Sequence, residues 1–376
     1  MRSPVAVTIV CAVIVILAGD ILYWYRLEHQ PLPAATAIPR LKWTRTDDSY
    51  PVMTAPMVAS DGTLYVANMS EIHAYDSSGA AKWVYRLDSR DPVRGAAVAQ
   101  DATGDLYFTT WKSLYSLSPS GLKRWQADCP NAAMGRDREG SSFRGDALYA
   151  SCDNHLVALN ESDGREVWEL PKVDTQASDL VPVSPLMLQK ADFVFSLGQR
   201  IFAADSEGNT LWSYPADSFK SAYLLGVGLG DTIYVSKSAG ELTALESRGQ
   251  EKWTFNGGRS IAFSASPVAA VDGTLYVVAE RGPLFALNSD GTEKWAFNLP
   301  PTTNVQGYTS PMLSPDGVIY QLVDKGVIAI SPLGKMIWQM PLRAEAHQRG
   351  FLAIARDGTL YAAMDNSAVF AIQTRN

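Results

Sequence analysis

Cysteine is scarce in this chain of 376 residues. It occurs three times, at Cys11, Cys129 and Cys152. That excludes a disulfide-framed miniprotein and a zinc site built from several cysteines. Histidine is scarce too. His29, His73, His155 and His347 are scattered with no ligand spacing, so no histidine metal centre is expected. Charged residues make up 19% of the chain, and the net charge is −7. A basic footprint is therefore missing, which argues against a nucleic-acid partner. No Gly-x-Ser-x-Gly elbow occurs, and no nucleophile pairs with a base by spacing. Gly226-Val227-Gly228-Leu229-Gly230 is rich in glycine, but no helical pattern follows it. It fails the context test for a dinucleotide loop and reads instead as a tight inner strand. After residue 40 there is no sustained helical periodicity at all. The 47% hydrophobic share nonetheless supports a core.

One long apolar run is present. Val5 to Tyr25 is interrupted only by Gly19 and Asp20 and ends on Tyr23, Trp24 and Tyr25. The run has the length of a membrane-spanning helix, and its rings suit the headgroup level. A signal peptide cut near Ala18-Gly19 is the competing reading, and in that case the protein is secreted. The uncleaved anchor is favoured because the apolar stretch continues past the cut. Asp20 counts against it. Cys11 sits mid-run behind Val10, so it does not have the setting of a lipoprotein cysteine. Arg2 precedes the run, which orients the remainder outside the cytoplasm. The expected organisation is an anchor over residues 1–26, a proline-bearing linker over 27–40 and one domain over 41–376. The expected address is the inner membrane, single-pass, with the domain in the periplasm or outside.

Ten tryptophans carry most of what the sequence says. Eight of them fall at Trp43, Trp83, Trp125, Trp168, Trp212, Trp253, Trp295 and Trp338, at intervals of 40 to 44 residues. Nine residues before most of them, and ten before Trp168, stands a small residue: Ala74, Ser116, Ala158, Ala203, Ala244, Ala286 or Ala329. A glycine lies between the two in every unit. Earlier in each unit comes an aromatic residue, usually after an Asp-Gly or Gly-Asp signal. These are Tyr65, Tyr107, Tyr149, Phe195, Tyr234, Tyr276, Tyr320 and Tyr361. Four short strands in about 42 residues is the size of a propeller blade, which predicts about 32 strands in all. A blade cannot bury both faces alone, so neighbours must stack. The small residue leaves room where sheets meet, and the tryptophan supplies apolar contact between blades.

The two chain ends are offset. Trp43 has no unit before it, and the eighth unit reaches Ala371 but ends before any tryptophan. The expected fold is therefore all-β. It is an eight-bladed β-propeller of four-stranded antiparallel blades, closed by the N-terminal strand around Trp43 and preceded by one transmembrane helix. Closure in this way leaves no long open edge. A monomeric propeller is expected.

The pattern is fullest in unit six: Asp272-Gly273-Thr274-Leu275-Tyr276-Val277, Leu284-Phe285-Ala286-Leu287 and Gly291-Thr292-Glu293-Lys294-Trp295. It resembles the quinoprotein-type, or PQQ-like, propeller repeat. Four units also carry a small residue before proline on the first strand: Ala55-Pro56, Ser184-Pro185, Ser266-Pro267 and Ser310-Pro311. The resemblance spans residues 40–376. Two branches follow from it. Quinoprotein dehydrogenases hold pyrroloquinoline quinone (PQQ) with calcium, are longer, and commonly carry adjacent cysteines, which this chain lacks. The BamB-like group is a bare eight-bladed ring acting as a scaffold in outer-membrane protein assembly, and it is similar in size.

The resemblance thus implies a non-catalytic scaffold for protein partners, held on the loop face or blade edges. Alternatives are a PQQ-dependent dehydrogenase of alcohols or sugars and, more weakly, a sensor or carbohydrate-binding propeller. No catalytic residue or metal ligand is assigned.

Blade topology places the loops between blades on the same face as the turns joining second and third strands. Cys129 and Cys152 fall in these two kinds of segment in adjoining blades. In an oxidising compartment they are placed to pair, the alternative being two free or buried thiols. The same face collects Arg90, Asp91 and Arg94, then Arg136, Asp137, Arg138 and Glu139, and later Arg349. Trp111, the only domain tryptophan outside the register, is there too. Arg94, Trp111, Arg136, Arg138 and Arg349 are the candidate ligand-binding residues, suited to a carboxylated or planar ligand. An ion-paired, solvated rim is the competing reading.

Overall fold

The structure, a computed structural model, describes residues 38–374 except 47–51, 53, 89, 95–97, 135–142, 154, 171–182, 189–192, 198–199, 216–222, 238–239, 259–260, 301–308, 325, 343–349 and 365–367. The expected anchor and linker lie outside the described residues. Within them, no helix is long and apolar enough to cross a membrane.

Residues from Arg40 onward form eight four-stranded antiparallel sheets. Seven take their strands consecutively from the chain, as blades 1 to 7. Blade 1 runs from Met57 to Arg86, and blade 7 from Met312 to Pro341. Blade 8 combines the last three strands, Gly350–Ile354, Thr359–Met364 and Ala368–Gln373, with the first strand of the chain, Arg40–Thr46. Apolar side chains form eight clusters, each shared by two neighbouring blades. The last joins Tyr361, Val369 and Ala371 of blade 8 to Leu64 and Val66 of blade 1. The core is therefore a closed cycle of inter-blade layers.

The register explains the repeat. Antiparallel strands put paired residues on one face. Tyr65 pairs with Ala74, and Ala74 pairs with Trp83. The small central residue lets the outer two rings meet over it, with centroids 5.7 Å apart. The same triple recurs at Tyr107–Ser116–Trp125 and Tyr276–Ala286–Trp295, with centroids 5.8 Å apart in each. Blade 4 departs from the expectation. Phe195 pairs with Phe202, and it is Val194 that stands opposite Ala203. The position is set by spacing to the small residue, and Val194 holds that spacing without an aromatic ring.

Among the described residues, seven of the eight repeat indoles, all but Trp338, also dock on the next blade. The indole N–H of Trp253 donates to Ser289 O at 2.9 Å, and that of Trp83 donates to Pro119 O at 2.9 Å. Both acceptors lie in the turn joining the third and fourth strands of the following blade. The turn glycine is held at positive φ directly against the ring. A Cβ built on Gly291 would lie 2.5 Å from Trp253, and one on Gly121 would lie 2.6 Å from Trp83. Glycine is required there both for the backbone conformation and for the close approach.

A third device ties the outer strand to the turn between the first two strands. Asp61 accepts from the Thr63 backbone N–H and hydroxyl, both at 2.9 Å, and Lys82 reaches the same hydroxyl at 2.7 Å. The backbone N–H of Thr63 helps hold the Asp61 carboxyl below its ordinary range, against the effect of burial. Lys294 repeats the arrangement on Thr274 in blade 6 at 2.6 Å.

All three devices reappear at the ring closure, across the whole chain. Trp43 pairs with Ala371 beside Tyr361, Lys42 donates to Thr359 at 3.0 Å, and the Trp43 indole donates to Ser77 O of blade 1 at 3.0 Å. The seam at Trp43 thus carries the same devices as the junction at Trp83.

Candidate functional site

The face that carries the inter-blade loops holds a connected patch over blades 1 to 3. Its base is the turn Thr110-Trp111-Lys112 of blade 2. Asp91, from the preceding loop, is buried and fixes this turn. It accepts from the Thr110 hydroxyl at 2.7 Å and from the Lys112 backbone N–H at 2.9 Å. The Trp111 N–H donates to Pro92 O at 3.2 Å, and the Cys129 N–H donates to Lys112 O at 2.9 Å. Asn131 and Asp153 follow, both at positive φ, which their short polar side chains tolerate. The Asn131 N–H donates to Trp111 O at 2.9 Å, and its side-chain amide donates to Asp153 at 2.7 Å. Cys129 and Cys152 are joined by a disulfide between buried sulfurs, with Cα atoms 4.9 Å apart. Loop and turn thus interlock from one blade to the next.

The residues grouped by sequence separate into distinct roles here. Arg90 is exposed and pairs with Asp88 at 2.8 Å, as a solvated rim would. Asp91 is not part of that rim, since it turns inward as a structural acceptor. Arg94 lies over Trp111, its guanidinium carbon 4.7 Å from the ring centroid. Trp111 keeps 50% of its surface exposed. Arg136, Arg138 and Arg349 lie outside the described residues. Lys112, Asn131 and Asp153 were not singled out by sequence. The only signal for the latter two is that Asn and Asp favour left-handed backbone in short loops.

Burial lowers the Arg94 pKa, and the charge of Asp153 opposes that shift. On the opposite face, burial first and then the charges of Asp101 and Asp146 push Glu161 up to about 7. Glu161 sits in the blade 3 turn, where its backbone carbonyl accepts the Trp125 indole N–H at 2.7 Å. No group of three or more His, Cys, Asp or Glu among the described residues is placed to hold a metal ion. The disulfide spans 23 residues rather than joining neighbours.

BamB from Moraxella catarrhalis is similar in structure, with a TM-score of 0.65 at 17% identity over 89% of this chain and 100% of that one. Virginiamycin B lyase from Staphylococcus aureus gives 0.57 at 11% identity, over 89% and 99%. The Dos1 propeller gives 0.68 at 10% identity, over 91% and 96%. At these identities the likeness is one of fold. No curated protein matches the chain in sequence. The family model described as outer membrane protein assembly factor BamB matches residues 35–195 and 197–376. Both halves of the ring are covered, and the chain belongs to the BamB family.

Proposed function

We propose that this protein is a non-catalytic scaffold outside the cytoplasm, held at the inner membrane by its N-terminal segment and binding protein partners. The observation that carries the reading is the family match along the whole ring. The interlocked loop face is the favoured docking surface, because it offers a rigid, partly apolar patch at Trp111 on a framework tied by a disulfide. The Cys129–Cys152 pair suits an oxidising compartment.

The test is cross-linking of the full chain in native membranes, followed by identification of the attached proteins. Specific partners are expected. In parallel, the purified chain is mixed with PQQ and calcium and assayed for dye-linked oxidation of alcohols and sugars. Stoichiometric binding with turnover would replace the scaffold with a dehydrogenase.

A further inference from the structure

Arg94 is held in an energetically incomplete state. Its Nη1 is closed off from solvent and has no hydrogen-bond partner among the described residues. Its guanidinium lies over the Trp111 ring. The carboxylate that acts on its charge, Asp153, is already engaged by the Asn131 amide. Stacking on an indole satisfies the face of a guanidinium but none of its N–H donors. A cation already stripped of part of its water gains more from an incoming anion than a fully hydrated one does.

Three features complete a receptor. Arg94 remains partly exposed beside the half-exposed indole, so a ligand can reach both. Lys112, next on the same turn, is exposed and has no ion pair among the described residues. The turn is fixed by Asp91, Pro92, Asn131 and the backbone of Cys129, so little ordering remains to be done on binding. A cation stacked on a half-exposed indole, with a second cation next in the chain, matches a glutamate side chain, whose carboxylate is carried on a short methylene stem.

We propose that Arg94, Trp111 and Lys112 form a receptor for a glutamate-bearing segment of a protein partner. The carboxylate meets Lys112 and the Arg94 donors other than the closed-off Nη1, and the methylene stem lies on Trp111. The proposal rests on the protein-binding reading above and specifies the chemistry of the partner.

The test uses the full chain in detergent and a fluorescein-labelled peptide alternating glutamate and alanine. Its glutamine counterpart serves as control, and fluorescence anisotropy is the readout. The glutamate peptide binds and weakens with salt, and the glutamine peptide does not bind. Arg94→Gln weakens binding about tenfold or more, the scale of one lost charge-assisted hydrogen bond. Arg94→Lys recovers only part, because it keeps the charge but not the planar stack. Trp111→Leu also weakens binding, and circular dichroism confirms that each variant is folded. Equal binding of both peptides, equal binding by Arg94→Gln, or no binding by the wild-type chain overturns the receptor. If membrane cross-linking still captures partners in that case, the scaffold reading stands without it. If the wild-type chain captures none, the scaffold reading itself falls.

Discussion

The docking of each tryptophan on the next blade's turn glycine makes a quantitative prediction at Gly291. Replacing it by alanine has two separable effects. The backbone is at φ 85°, where an L side chain is strained by about 1–2 kcal/mol. The new Cβ would also stand 2.5 Å from the Trp253 ring, inside any allowed contact, so the indole must move. Its displacement breaks the 2.9 Å bond to Ser289 O, about 0.5–1.5 kcal/mol. It also opens part of the packed layer against blade 6, costing on the order of another 1 kcal/mol. Gly62 supplies the control, with nearly the same φ of 84° and nothing within 4 Å of a built Cβ. Gly291→Ala is therefore expected to destabilise by about 2 kcal/mol more than Gly62→Ala. Urea unfolding followed by far-ultraviolet circular dichroism reads the difference. In a Trp253→Ala background the excess should vanish, since nothing is left to displace. Equal costs at Gly62 and Gly291 in the parent chain, or an excess that survives Trp253→Ala, would refute the argument.

Other consequences are testable in the same way. Glu161 is raised from 4.5 to about 7 by burial and by its acidic neighbours, so its ionised form opposes folding. Stability is unaffected by this group below the lower value and falls as pH rises through that window. Glu161→Gln should remove that slope and stabilise above neutrality by on the order of 1 kcal/mol, allowing for partial exposure; a urea midpoint with unchanged pH dependence would count against it. Replacing both Cys129 and Cys152 by serine opens a loop spanning 23 residues and should cost about 3 kcal/mol in urea unfolding. Among the described residues no turn glycine stands against Trp338, whereas Trp43 docks on Gly79 and bonds Ser77. Trp43→Ala should therefore lower the urea midpoint more than Trp338→Ala, and the reverse order would contradict the seam described above.

Much of the fold was legible because it is periodic. A repeat that needs neighbours writes the same residues into every unit, so the Tyr, small-residue, glycine and tryptophan positions stand out against loops that vary. The offset at the ends, with Trp43 ahead of the first unit and Ala371 without a tryptophan, was enough to predict the closing strand. Even Cys129 and Cys152 could be placed on one face, since strand direction alternates strictly in a blade. Phe195 shows where periodicity misleads. An aromatic one position out of register looked like the repeat residue, while Val194 held the place set by hydrogen-bond pairing.

The candidate site was less legible. Sequence grouped Arg90, Asp91 and Arg94 together, yet one faces solvent with Asp88, one is buried under the blade 2 turn and one lies on Trp111. Their divergence follows from the path of the loop between blades 1 and 2, which no repeat encodes.

What the sequence determined by itself is the blade count, the closure and the chemistry available to each junction, because these depend on spacing between residues in regular strands. What only the tertiary structure decided is which cation is left uncompensated. Whether an arginine meets a carboxylate, water or an indole depends on loop paths, and those are set by packing between blades rather than by any pattern within one.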